Sequence, residues 1–451
     1  MRKIIQYMMM ALIAVVLASC ANDISEESTP TVKSNIRFVV DDFPMFEKPS
    51  TRTIGEEDKG KTAWAVGDEI CVKLESKELG TQTATLKYNG VKFEIQDGNS
   101  LCYLEGEPVT AYAYYAPNRR WRNGSLDFKD IYGNPNGTAE FLEATCTVHY
   151  GDDNYVDISF ANATRNYSRL RIATIPKTEI KVDADNFAPT DNPNRLYMTY
   201  TLTSDEKGNA YLYGTFYNNS IVTVKYRGAT LKTYKFSKET ENAKSYALDA
   251  TVISANSAEE IKSAIEQKVA DGKTTIRLNL APNAGTNEFM AIREAIKGAA
   301  PNDLGTIELT IIGVETIPEE AFYKMLQLKS VRMSDVKEIK KYAFKECQYL
   351  TVVEAPSLNK LCSGAFKKCD QLAKLTFGPI NYADERNWPI FEYITPNIDL
   401  ILSDYQKEMI ETDSYLYTAN NDRDYAGSDE HNSKNFLGRE FRSITCRYKV
   451  K

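Results

Sequence analysis

From Ile36 to about Val252, apolar and polar residues alternate in short runs broken by Asn, Gly, Asp and Pro. A period of two puts successive side chains on opposite faces of a strand, one toward a core and one toward water. Ala111–Tyr115 and Tyr155–Phe160 are such runs. Ile221–Tyr226, then Arg227-Gly228, then Ala229–Phe236 reads as two strands joined by a two-residue turn. Helical periodicity is nearly absent, so the pattern predicts β-sandwiches, with length for two and a break between residues 150 and 166. At Ser257 the period changes. Ser257-Ala-Glu-Glu260 is a capping box, and Ile261, Ala264, Ile265 and Val269 follow at helical spacing until Asp271-Gly272. A strand is expected over Thr275–Leu280 and a short amphipathic helix over Phe289–Ile296.

A repeat follows. Ala321-Phe322, Ala343-Phe344 and Ala365-Phe366 recur every 22 residues. Met325, Cys347 and Cys369 keep the same register, as do Val331, Val353 and Leu375. One such unit cannot bury its own apolar face, so three must stack as coils, capped at both ends. Within each unit Leu309, Val331, Val353 and Leu375 point inward. Alternation then aligns Glu308, Ser330, Val352 and Lys374 in one outward ladder, and Thr310, Arg332, Glu354 and Thr376 in the next. Ser330, Arg332, Glu354 and Lys374 are the candidate partner-binding residues, with Arg332 and Glu354 as a cross-strand pair. Beyond the repeat, a strand is expected over Ile398–Leu402, a helix over Asp404–Ile410 and a closing segment over Phe441–Tyr448.

The first twenty residues read differently. Arg2 and Lys3 precede about ten apolar residues, Met8 to Leu17, too short a run to span a bilayer and suited to a secretory signal peptide. Leu17-Ala18-Ser19-Cys20 resembles the bacterial lipobox, which implies cleavage before Cys20 and acylation of its thiol, palmitate included. Several acyl chains anchor far more firmly than one. The segment that follows is small, polar and acidic, as a tether would be.

The formal charge is −7, and loss of Arg2 and Lys3 with the signal leaves −9. Basic runs are absent, which argues against a nucleic-acid partner. The 28 tyrosines suit strand-rich exported domains. Besides Cys20, seven cysteines remain without any CxxC pair, so they read as buried apolar residues rather than a disulfide framework.

Little in the chain points to catalysis. A Ser–His–Asp or Cys–His arrangement needs a histidine to accept a proton, and only His149 and His431 exist, one in a strand-like run and one in a polar loop. Neither they nor the scattered cysteines suggest zinc, and Asp152-Asp153 after Gly151 reads as a turn between strands. No catalytic residue, metal or cofactor is expected. Trp64 belongs to a strand-start motif, whereas Trp121, among Asn118-Arg-Arg-Trp-Arg-Asn-Gly124, could stack on a sugar ring.

Leu361-Cys-Ser-Gly-Ala365-Phe366-Lys-Lys-Cys369-Asp-Gln-Leu372 resembles the BspA-type leucine-rich repeat of bacterial surface proteins, and Ile339–Leu350 is similar. Thr51-Arg52-Thr53, Trp64-Ala-Val-Gly67-Asp68-Glu69-Ile70-Cys-Val72, Tyr112-Ala-Tyr-Tyr115-Ala-Pro117 and Tyr246–Val252 resemble the fimbrillin-like lipoproteins of Gram-negative anaerobes. These resemblances imply a mostly β chain, a tandem β-sandwich followed by a short capped repeat solenoid, acting in adhesion. The expected organisation is a signal peptide (1–19), an acidic tether (20–35), sandwiches over 36–160 and 161–253, an α/β cap (254–304), repeats (305–378) and a C-terminal cap (379–451). The expected function is that of a non-enzymatic adhesin, lipid-anchored in the outer membrane, facing the exterior and binding protein partners. The alternative is a glycan-binding surface lipoprotein of a nutrient uptake system.

Overall fold

The computed structural model describes residues 32–33, 36–50, 59–96, 101–117, 119–122, 125–127, 135–151, 154–161, 165–190, 197–255, 257–384, 390–406, 435–437 and 439–448. The signal segment, Cys20, Thr51–Thr53, Asp152-Asp153 and His431 lie outside them.

Seven strands build the first sheet: β1 (Arg37–Val40), β2 (Glu69–Ser76), β3 (Gly80–Tyr88), β4 (Phe93–Ile95), β5 (Val109–Tyr115), β6 (Leu142–His149) and β7 (Tyr155–Ser159). Their order is β1-β7-β6-β5-β2-β3-β4, and the two end strands approach each other, so a single sheet wraps around its own core. Ile70, Val72 and Leu74 on β2 and Val156 and Ile158 on β7 are buried, as the alternation requires. Trp64 is part of this core, edge-on to Phe43, Phe93 and Phe160 at 4.8, 4.9 and 5.6 Å. Val32–Lys33 pairs with Tyr103–Leu104. The end of the segment read as a tether is therefore strand: Val32 and Lys33 add to the ladder although the residues before them are polar.

The second sheet contains β8 (Ser168–Ala173), β9 (Glu179–Pro189), β10 (Tyr197–Thr203), β11 (Asn209–Tyr226), β12 (Ala229–Lys235) and β13 (Ser245–Asp249). The long β11 folds the sheet over. Residues 209–214 pair with β8, while residues 221–226 pair with β9 and β12. Asn219, at a left-handed φ of 67°, stands between the two halves. The β11–β12 hairpin turns on Arg227 and Gly228, with φ of 47° and 81°. Two consecutive positive φ values match the twist of the flanking strands.

A charged junction joins the sandwiches. Phe46 and Glu47, in the segment after β1, bond to Lys59 O and Ala243 O, each at 3.0 Å. Behind them Arg165 is buried with Glu140, pairs with it, donates to Pro44 O (3.1 Å) and stacks 3.8 Å over the Phe46 ring. Arg169 lies over the Tyr211 ring at 4.5 Å.

The third unit begins with β14 (Ile253–Ala255), α1 (Ala258–Ala270), β15 (Thr275–Leu280) and α2 (Thr286–Ala299). Ser257 caps α1 by accepting the Glu260 N–H at 3.2 Å. The second helix starts three residues before the expected Phe289, because Glu288 reaches back to the Gly285 N–H (2.8 Å) and satisfies the first turn. Then come β16 (Ile307–Ile312), β17 (Thr316–Ile317), β18 (Leu328–Met333), β19 (Glu338–Ile339), β20 (Val352–Ala355), β21 (Lys360–Cys362), β22 (Lys374–Phe377), β23 (Tyr382–Asp384), β24 (Asp399–Ser403) and β25 (Ser443–Tyr448). A long parallel sheet runs β14-β15-β16-β18-β20-β22-β24-β25, and a short one runs β17-β19-β21-β23.

The phenylalanines of the repeat stack face to face: Phe322 on Phe344 at 5.1 Å, Phe344 on Phe366 at 5.4 Å, Phe366 on Phe391 at 5.7 Å. Phe289 and Phe441 close the column edge-on. Phe391 belongs to a fourth coil, so the segment read as a C-terminal cap continues the solenoid. The helix expected from Asp404 is a 3₁₀ turn, Asp404–Gln406, with the residues after it undescribed. Cys347 and Cys369 are buried and form no disulfide. They are more than apolar fillers: each thiol donates to a carbonyl of the preceding coil, Phe322 O and Phe344 O, at 3.0 Å. Burial pushes the Cys347 thiol up to about 12, so it stays protonated at neutral pH.

Candidate interaction surface

Parallel pairing brings the expected ladders together. Glu308, Ser330, Val352 and Lys374 are in register on β16, β18, β20 and β22, and Asp399 on β24 continues the row. Thr310, Arg332, Glu354 and Thr376 form the second row. Arg332 Nε donates to Glu354 Oε2 at 3.0 Å, with both side chains partly exposed. Lys374 is exposed. The result is a mixed platform in which positive and negative side chains neighbour each other across strands, extended by Arg442 bonded to Asp399 at 2.8 Å. Such pairs are individually weak in water, so they add little to the stability of the solenoid.

Two members differ from expectation. Ser330 is only 5% exposed and Thr310 only 3%. Ser330 is a short side chain set between the longer Glu308 and Val352 of the adjacent strands, which leaves its hydroxyl little contact with solvent. It is not an accessible contact residue. On the β15–β16 side the face meets the second sandwich. Arg277 on β15 is buried and donates to Leu231 O (2.5 Å) and Thr251 O (3.4 Å), and Ile312 joins the core of that sandwich. The accessible ladder residues are therefore Glu308, Arg332, Glu354 and Lys374, with Thr310 and Ser330 withdrawn from it.

Elsewhere the candidate residues take structural positions. His149 stacks on Tyr155 (4.2 Å) and contacts Asp157 at 2.9 Å across β6 and β7. Trp121 packs edge-on against Tyr114 at 5.9 Å. Among the described residues no group of three or more His, Cys, Asp or Glu could hold a metal ion, and no helix is long and apolar enough to cross a membrane.

Residues 303–406 match the BspA type leucine rich repeat region in six copies. No curated protein matches the chain. Among solved structures, the T. pallidum leucine rich repeat protein aligns at 18% identity and a TM-score of 0.17, over 21% of this chain and 58% of that one. The chain thus spans less than two thirds of that protein's length. A candidate cell adhesion protein from Bacteroides fragilis aligns at 12% identity and a TM-score of 0.23, over 48% of this chain and 93% of its own. The fimbrial anchor protein of Porphyromonas gingivalis aligns at 12% identity and a TM-score of 0.20, over 44% and 80%. The match runs past residue 378, as does the phenylalanine column. Residues 303–406 of this chain are thus similar to the BspA type leucine rich repeat region.

Proposed function

We propose that the chain is a cell-surface adhesin, anchored through lipid on Cys20 in the outer membrane and carried outward by a short tether and two sandwiches. Its repeat module engages a protein partner. The observation that carries this reading is the polar ladder of the parallel sheet, left accessible at Arg332, Glu354 and Lys374 and covered by the second sandwich nearer β15. Solenoids present such extended faces to protein partners. The Leu17-Ala-Ser-Cys20 segment supports the anchor.

The test compares purified full-length protein with its Arg332→Glu variant for adherence to intact cells. The variant is expected to bind about tenfold or more weakly, while its melting temperature barely changes because an exposed pair contributes under about 1 kcal/mol. Equal adherence would move recognition to the sandwich half. In the producing cell, Cys20→Ala should lose fatty-acid labelling and membrane attachment; continued palmitate incorporation would rule out this anchor.

A further inference from the structure

The turns that follow each Ala-Phe pair carry a second periodic set of side chains, unused by the strand ladders. Tyr323-Lys324, Lys345-Glu346 and Lys367-Lys368 succeed one another in adjacent coils. Backbone bonds hold these turns in register: Lys324 N–H to Lys345 O at 3.0 Å, Glu346 N–H to Lys367 O at 2.8 Å, and Lys368 N–H to Glu392 O at 2.8 Å. Lys324, Glu346 and Lys368 share a left-handed φ of 56°, 61° and 58°, so each turn projects its side chains alike.

Lysines gather on tyrosine rings here. Lys345 Nζ lies 5.2 Å from the Tyr323 centroid and 4.7 Å from that of Tyr342. Lys341 is 4.8 Å from Tyr342, and Lys324 is 5.1 Å from Tyr323. Helix α2 adds two cations at the edge, with Arg293 Nη1 2.9 Å from Glu320 O and Lys297 Nζ 3.5 Å from Tyr323 O. Lys297 is held below the ordinary lysine value, first by burial and then by Arg293 and Lys324. The carboxylates beside the cluster are Glu346, which contacts Lys324 at 3.6 Å and Lys345 at 3.9 Å, Glu392, which pairs with the mostly buried Lys367 at 2.5 Å, and Glu319 and Glu320 before the first turn, so Lys324, Lys341 and Lys368 are the cations left for a ligand.

We propose that this lysine–tyrosine ridge binds a polyanionic saccharide, a chain bearing sulfate or carboxylate groups. Coils about 4.8 Å apart put Lys345 beside Lys367, and Lys324 two coils from Lys368 with Glu346 between them, so a linear polymer lying along the axis meets cations in successive coils. Cations two coils apart stand about 10 Å from each other, the scale of one disaccharide. The ammonium of lysine is a compact point charge that meets sulfate or carboxylate without the bidentate geometry arginine brings to phosphate. Tyrosine rings with ammonium groups this close offer nucleobases less free face for stacking, and the Tyr323 hydroxyl is itself engaged by Lys324. This site lies on the turns rather than on the Arg332 face, so it goes beyond the protein-binding reading.

The probe is a heparin decasaccharide, titrated against the purified full chain carrying Cys20→Ala, with neutral dextran and a single-stranded thymidine oligomer as comparators. Wild type should bind the decasaccharide and weaken steeply with added salt, as screened charge pairs do. Lys324→Gln/Lys341→Gln/Lys345→Gln should lose about tenfold or more, and Arg332→Glu should bind like wild type. Circular dichroism checks folding. Should the triple variant not fold, Lys324→Gln and Lys368→Gln singly should each cost about two- to fivefold. Unchanged binding in the folded lysine variants, equal loss in Arg332→Glu, or equal binding of dextran would overturn the proposal. Displacement by the thymidine oligomer at the same concentration would overturn it in favour of a nucleic-acid surface.

Discussion

Replacing Arg165 by alanine is expected to destabilise the strand-rich half by about 3–5 kcal/mol at neutral pH, the cost of leaving one member of a buried ion pair uncompensated. Glu140 is the member left behind. Burial already holds its carboxyl above the ordinary value, and Arg165 is the foremost opposing influence. Without the guanidinium, Glu140 rises further. A carboxyl whose folded value exceeds its unfolded one, about 4.3, favours the protonated folded state; that advantage is complete below the unfolded value and disappears as pH rises through the folded one. The deficit of Arg165→Ala relative to wild type should therefore be largest near pH 7 and shrink toward about pH 4.5. Urea titrations at the two pH values decide the matter. An equal deficit at both would assign the loss to packing of Arg165 over the Phe46 ring.

The second large effect is expected at Phe344, the middle ring of the column. Phe344→Ala removes a fully buried side chain stacked on Phe322 and Phe366 and should cost about 3–5 kcal/mol, while Phe344→Leu should cost much less. Because each coil touches only its neighbours, a hole at the centre uncouples the coils on either side. Hydrogen exchange should report faster opening across β16 to β24, with the β1–β7 sheet unchanged. Equal costs for alanine and leucine would mean that the column is not the main source of coil-to-coil cohesion.

Alternation revealed the strands and the β11–β12 hairpin because a half-buried strand must show its two faces in sequence. The 22-residue period revealed three coils and the ladder partners by simple addition. It failed at the fourth coil, where Phe366 to Phe391 and Leu375 to Leu400 are each 25 residues apart. The signal was present as a shifted period. The lysine–tyrosine ridge was hidden for another reason. Its positions hold Tyr323, Lys345 and Lys367 in one row and Lys324, Glu346 and Lys368 in the next, so no residue type runs through all three coils and no long basic run exists along the chain. Alternation also told which way Thr310 and Ser330 point but not what neighbours them, which is a matter of tertiary packing. The Glu140–Arg165 pair, 25 residues apart and set just outside the β6–β7 strands on either side, has no local pattern to announce it.

The pairing of the terminal strands has a mechanical meaning. In the first sandwich β1 lies parallel to β7, the last strand; in the second, β8 lies parallel to β13, again first against last. When a chain is pulled between its two ends, parallel neighbours of this kind slide past each other along their length. Their cross-strand hydrogen bonds then carry the load together and must break nearly at once, whereas an antiparallel hairpin opened from its tip breaks them one by one. Each sandwich is thus a shear clamp in series between the chain's beginning and the solenoid. Under tension its lifetime is governed by the unfolding rate along that sliding path rather than by equilibrium stability. Tension applied between the chain's beginning and the solenoid would therefore load both clamps in series.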